Sequence, residues 1–251
     1  MNSKPWLKIY PADVPHEIDV SQYPSLFELL EESFRKHAKS PVTVCMEEWM
    51  TYGQLDELSA TVGAWLQSQG LPPGARVALM MPNVPQFLVS MAAILRAGYS
   101  CVNVNPLYTP RELAHQLRDS GAEAIIILEN FASTLEEVIG QTQVRHVVLA
   151  SMGDLLGFWY GRWITFAVRH LAKMVPAFRM PLSGPQGDIQ VMPFKQVLAH
   201  GSGKTLKRVA CTLDTTAFLQ YTGGTTGLSK GAVLTHRNII AAILQAEAWF
   251  H

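Results

Sequence analysis

The sequence predicts an α/β fold of mainly parallel sheets flanked by helices. Short, wholly apolar runs such as Ala124-Ile-Ile-Ile-Leu128 read as strands buried on both faces. Helical segments of roughly ten to fifteen residues separate them, which is the βαβ pattern. Proline and glycine fall where one pattern gives way to the next.

Taken in order, residues 1–24 form an N-terminal extension without the apolar run of a signal peptide. Ser25 and Glu28 have capping-box spacing, opening a helix with Leu26, Phe27, Leu30 and Phe34 on its apolar face. Val42 to Met46 reads as a short strand. Tyr52 to Gln69 repeats apolar residues at Leu55, Leu58, Val62, Trp65 and Leu66, and Gly70 ends it. Arg76 to Met81 is a buried strand stopped by Pro82, and a helix from Pro85 to Ala97 ends at Gly98. Ser100 to Asn105 is the next strand, followed by a helix starting at Thr109-Pro110, with proline in the first turn. Ala124 to Leu128 is the strongest strand signal and Val144 to Ala150 a weaker one. Residues 179–214 read as a linker region, chiefly over 180–190, with its prolines and glycines, and 200–214.

Residues 155–178 read as an amphipathic helix. At about 100° per residue, Arg162, Arg169 and Lys173 share one narrow stripe, with Tyr160, Ile164, Ala167, Leu171 and Val175 opposite. Charges recur too often for a membrane span. Two readings stay open: a helix lying in a membrane interface, and an ordinary packed helix whose basic residues snorkel.

Bulk properties narrow the function. An apolar share of 48% excludes a disordered chain. With 20 basic and 20 acidic residues, no bulk charge attracts nucleic acid, and no nucleic-acid partner is expected. Cys45, Cys101 and Cys211 lie far apart, which fits a reducing cytoplasm and argues against a zinc site. The expected location is cytoplasmic, with peripheral contact at the inner face of the membrane.

The densest chemistry is Tyr221-Thr-Gly-Gly-Thr-Thr-Gly-Leu-Ser-Lys-Gly231. Glycines let backbone N–H groups converge on an anion, hydroxyls add donors and Lys230 adds a mobile charge. No acidic side chain interrupts the run, which suits a polyphosphate. Two other templates fail. Gly227-Leu-Ser-Lys-Gly231 fits the nucleophile elbow G-x-S-x-G, but no aspartate follows Ser229. Gly201-Ser-Gly-Lys-Thr205 imitates the end of a Walker A loop, but Leu198 stands where its first glycine belongs.

The 221–231 run resembles the phosphate-binding signature of AMP-forming acyl-activating enzymes, Tyr-Thr-Ser-Gly-Thr-Thr-Gly-x-Pro-Lys-Gly. Gly223 replaces its serine and Ser229 its proline. Further blocks look like that family in the expected order: Met50 to Asp56, Gly74 to Asn83, Leu95 to Gly98, Val102 to Leu113 and Thr235 to Asn238. Val102 to Leu113 and Gly223 are most similar to the bacterial long-chain fatty acid–CoA ligases.

The resemblance implies the large AMP-binding domain of an adenylate-forming enzyme over residues 25–251. It implies a two-step reaction in which fatty acid and ATP give an acyl-adenylate, and coenzyme A then displaces AMP. Tyr221, Thr222, Gly223, Gly224, Thr225, Thr226, Gly227, Lys230 and Gly231 would form the ATP-phosphate site, with Thr222 near Mg2+. His236 stands either beside the acyl tunnel or as a helix cap. The family's adenine-binding segment, magnesium-binding glutamate, ribose-binding aspartate and small C-terminal domain with its adenylation lysine are not matched. The expectation is therefore an N-terminal fragment without catalytic residues, inactive alone. The alternatives are a dead remnant binding a membrane or partner through residues 155–178, and an enzyme of another chain-length class.

Overall fold

Helix boundaries follow local capping chemistry. The computed structural model describes residues 4–223 and 229–250. Helix α1 spans Leu26–Lys36. A hairpin follows, β1 (Pro41–Cys45) antiparallel to β2 (Glu48–Thr51), turning through Met46 and Glu47 at φ 49° and 67°. The single strand expected over 42–46 is thus one arm of a hairpin whose turn carries no glycine or asparagine. Helix α2 (Tyr52–Gln67) starts at a capping box between Thr51 and Gln54. Strand β3 (Arg76–Met80), helix α3 (Pro85–Arg96), strand β4 (Ser100–Asn103) and helix α4 (Pro110–Ser120) come next. A Thr109–Glu112 capping box opens α4, and Gly121 closes it at φ 63°.

The remaining elements are β5 (Ala124–Leu128), α5 (Ala132–Glu136), β6 (His146–Ala150) and α6 (Phe158–Phe166). A small hairpin of β7 (Ser183–Gly184) and β8 (Gly187–Asp188) follows. Then come β9 (Gln190–Pro193), α7 (Phe194–Gly201), β10 (Thr216–Thr222), β11 (Lys230–Thr235) and α8 (His236–Trp249).

Among the described residues, one seven-stranded sheet dominates, in the order β11-β10-β4-β3-β5-β6-β9. Its pairs are parallel except the β10–β11 hairpin at one edge. Strands β3 and β5 send alternate residues to two cores. Val77, Leu79 and Ile126 meet Leu55, Leu66, Ile94 and Phe194 on one face. Ala78, Met80, Ile125 and Ile127 meet Leu113, Leu117 and Ile139 on the other. Each fully buried branched side chain contributes about 1.5–3 kcal/mol, which is why the strands read as unbroken apolar runs.

Two boundaries need correction. The 179–214 region is not a plain linker, because β9 supplies the edge strand and α7 buries Phe194 and Val197. The long helix over 155–178 is shorter. Helix α6 ends at Phe166, a π-helical turn covers Ala167–Leu171, and Lys173 sits at φ 52°.

Candidate functional site

The glycine-rich run lies at the carboxyl end of β10, the usual side for ligands of a parallel sheet. Strands β10 and β11 bring its two ends together. Tyr221 is paired with Gly231, and Thr222 with Lys230. Thr222, Gly223 and Lys230 are exposed. Gly224, Thr225, Thr226 and Gly227, expected to complete the phosphate site, lie outside the described residues. A Cβ at Gly223 would meet nothing within 4 Å, so the serine of the family signature would fit there. Gly231 is different: its Cβ would stand 2.9 Å from Cζ of Tyr221. The tyrosine ring lies directly over the Gly231 backbone.

Tyr221 is buried and its hydroxyl donates to Asp119 Oδ2 at 2.5 Å. Burial, then the hydrogen bond and charge of Asp119, push the phenol well above its ordinary range. It therefore stays neutral and acts as a fixed donor. His115, four residues before Asp119 on α4, contacts the Ser229 carbonyl through Nε2 at 3.1 Å. A carbonyl only accepts, so this imidazole carries its proton on Nε2. Nothing in the local sequence marks His115 or Asp119, since their partners lie more than a hundred residues away in the chain.

His236 is placed as a helix cap. It is 2% exposed, and its Nδ1 accepts the Leu26 backbone N–H at 2.9 Å. The expected Ser25–Glu28 capping box does not form, because the Ser25 side chain makes no bond to a helix N–H. Its hydroxyl bonds the Glu28 carboxylate instead, at 3.2 Å. Burial holds His236 below the usual histidine range, keeping it neutral as the acceptor requires.

Of the basic stripe of residues 155–178, Arg162 and Arg169 line one cavity, and Lys173 follows the last helical turn. Arg169, itself exposed, is a bidentate partner of buried Glu129, with contacts from 2.6 to 3.1 Å, and donates to Ser151 Oγ at 3.2 Å. Arg162 stacks 5.7 Å over the Phe158 ring, and Lys173 is exposed. Gly153 and Gly161 pack α6 backbone against backbone; a Cβ on Gly153 would fall 1.9 Å from the Gly161 carbonyl. That contact leaves Gly161 as the buried residue of α6 and turns its aromatic residues outward. Trp159 is 79% exposed and Trp163 57%, beside exposed Phe158 and Phe166. Beside α6 lies a cavity of about 350 Å³, lined by Ser151, Asp154, Arg162, Thr165, Phe166 and Arg169 among others. Burial pushes the Asp154 carboxyl up to about 6. Among the described residues, no helix is long and apolar enough to cross a membrane, and no three His, Cys, Asp or Glu side chains form a metal cluster.

A mainly parallel seven-stranded sheet with helices on both faces, ending in the β10–β11 hairpin, makes this an α/β protein. The AMP-binding enzyme family matches residues 30–251, and the chain belongs to that family. It is 48% identical over 248 residues to a long-chain-fatty-acid–CoA ligase of Salmonella typhimurium, covering 98% of this chain and 43% of that protein. A Bacillus subtilis long-chain-fatty-acid–CoA ligase is 31% identical over 252 residues, covering 100% and 43%. The fold is similar to a crystal structure of a long-chain-fatty-acid-CoA ligase from Archaeoglobus fulgidus. That match has TM-score 0.69 and 21% identity, over 96% of this chain and 42% of that one. An anthranilate CoA ligase in complex with anthranoyl-AMP gives TM-score 0.66 at 20% identity, over 88% and 37%. The chain thus spans about two-fifths of the length of the curated relatives it matches.

Proposed function

We propose that this chain supplies the triphosphate-binding part of a ligase that joins a long-chain fatty acid to coenzyme A at the expense of ATP. The observation that carries the reading is the 48% identity to a long-chain ligase over nearly the whole chain, together with the paired arms of the 221–231 hairpin. In the proposed reaction the fatty carboxylate attacks the α-phosphorus of ATP and pyrophosphate departs. The thiol of coenzyme A then displaces AMP from the acyl-adenylate.

Charge accumulates on the departing pyrophosphate, so fixed donors and a cation beside it lower the barrier. Lys230 is exposed and paired across the hairpin with Thr222, which aims one ammonium and one hydroxyl from the two arms. Magnesium carried by the nucleotide supplies further neutralisation when bound. The exposed Thr222 hydroxyl is the group of this chain suited to touch it, since such ions keep most ligands from phosphates and water.

A chimera tests the proposal. This chain replaces the matching region of the Salmonella typhimurium ligase, and formation of palmitoyl-CoA is measured. Activity that Lys230→Ala reduces by about tenfold or more supports it. A folded chimera that turns over coumarate or octanoate but not palmitate would remove the long-chain assignment, and one inactive with all three would remove the ligase reading.

The outward aromatic face of α6 favours a second role alongside this one, peripheral contact at the inner face of the cytoplasmic membrane. Tryptophan and phenylalanine beside Arg162 suit the headgroup boundary. Co-sedimentation with phosphatidylglycerol–phosphatidylethanolamine vesicles is the check. Binding lost on Trp159→Ser with Trp163→Ser supports it, and equal binding by both proteins contradicts it.

A further inference from the structure

We propose that His115 and Asp119 are positioning residues for the polyphosphate loop, a role that rests on reading residues 221–231 as a triphosphate clamp. The two side chains are one turn apart on α4 and so share a face. Each holds a different arm of the hairpin. Asp119 accepts the Tyr221 hydroxyl at the first residue of the run, and His115 donates to the Ser229 carbonyl two residues before its end. The brace continues through packing, because the Tyr221 ring lies against Gly231, its partner in the strand register.

Helix α4 is a firm base for such a brace. A capping box fixes its first turn, and glycine in the left-handed region fixes its last. Leu113 and Leu117 are fully buried against the sheet. A third tie runs beside the first two. Gln116 Nε2 donates to the Asn103 carbonyl at 2.7 Å, and Asn103 Nδ2 donates to Gln220 Oε1 at 2.9 Å. Helix α4, β4 and β10 are therefore locked together next to the start of the run.

The functional consequence comes from conformational entropy. A glycine-rich segment loses more freedom than any other when it wraps an anion. Fixing both of its ends beforehand removes part of that cost from the binding step, which raises affinity without adding a contact to the ligand. His115 and Asp119 touch the arms of the loop and work through them.

The experiment uses the 251-residue chain, titrated with ATP and with inorganic tripolyphosphate, alongside amide hydrogen exchange of residues 222–231 without ligand. His115→Ala and Asp119→Ala should each weaken both ligands about fivefold or more. They should also speed exchange at 229–231 while β5 stays protected as in the wild type. His115→Gln, which keeps an N–H donor, should recover most of the loss; a residue needed only for packing would not be rescued this way. If the wild type binds and both alanine variants match it in affinity and exchange, the positioning role is overturned. If the wild type binds neither ligand, the clamp reading fails, and unliganded exchange alone decides the brace: equal rates overturn it and faster rates in the variants uphold it. Should an alanine variant lose protection in β5, His115→Gln and Tyr221→Phe carry the comparison. Tyr221→Phe is then expected to lose affinity and His115→Gln to retain it, and the absence of that split overturns the proposal.

Discussion

Replacing His236 by alanine should destabilise the whole sheet, although the residue lies close in sequence to the glycine-rich run. Its Nδ1 is the acceptor for the buried Leu26 N–H at the start of α1, and the ring is 2% exposed. An orphaned buried donor costs about 1–3 kcal/mol. The cavity left by the ring adds to this, so a total of about 2–4 kcal/mol is expected. His236→Asn is the control, because its Oδ1 stands roughly where Nδ1 stood and restores the acceptor at smaller volume. It should recover at least half of the loss. The pH dependence has a defined sign. Burial lowers the folded-state pKa below the ordinary histidine value of 6.5, so the unfolded chain takes the proton first. Stability from neutral His236 is complete above about pH 6.5 and is lost as pH falls toward the folded value. Urea unfolding followed by circular dichroism at pH 7.5 and 5.5 measures both effects. An alanine variant within about 0.5 kcal/mol of the wild type, or an asparagine variant no better than alanine, would refute the capping role.

Two further predictions concern charge and space. Burial pushes the Asp154 carboxyl up to about 6 from its ordinary 3.8, so its ionised form opposes folding above that range, and this penalty fades as pH falls from about 6 toward 4. Asp154→Asn keeps an acceptor for the Ser151 N–H and should stabilise the chain by about 1–3 kcal/mol at pH 7.5, with the difference vanishing near pH 4 in the same urea assay. Gly231→Ala places a methyl against the Tyr221 ring and should cost about 1–3 kcal/mol, whereas Gly223→Ser enters open space and should change stability by under about 0.5 kcal/mol. Thermal unfolding of the two variants side by side checks that contrast.

The parallel sheet was legible because its strands are buried on both faces, so Ala124 to Leu128 had no other reading. Helix α2 was legible from its apolar repeat and Gly70, and α4 from Thr109-Pro110 with proline in its first turn. The β1–β2 hairpin was hidden because Met46 and Glu47 adopt left-handed angles without the residues that announce them. Strand β9 was hidden in a proline- and glycine-rich stretch, since pairing with β6 rather than local propensity makes it a strand. The 155–178 helix read as amphipathic by periodicity, but Arg169 is taken by Glu129, a partner forty residues away. At the site, the phosphate run was plain from composition. Its brace by His115 and Asp119 was not, because both contacts exist only after β10 is seated beside β4.

The most direct test of the account follows the phosphorus nuclei of ATP by NMR as the chain is added. If the hairpin grips the triphosphate, the β and γ resonances shift and broaden more than the α resonance, and Thr222→Ala with Lys230→Ala abolishes the change. Unmoved β and γ signals, or shifts that survive both substitutions, would contradict the central claim that the 221–231 hairpin grips the triphosphate.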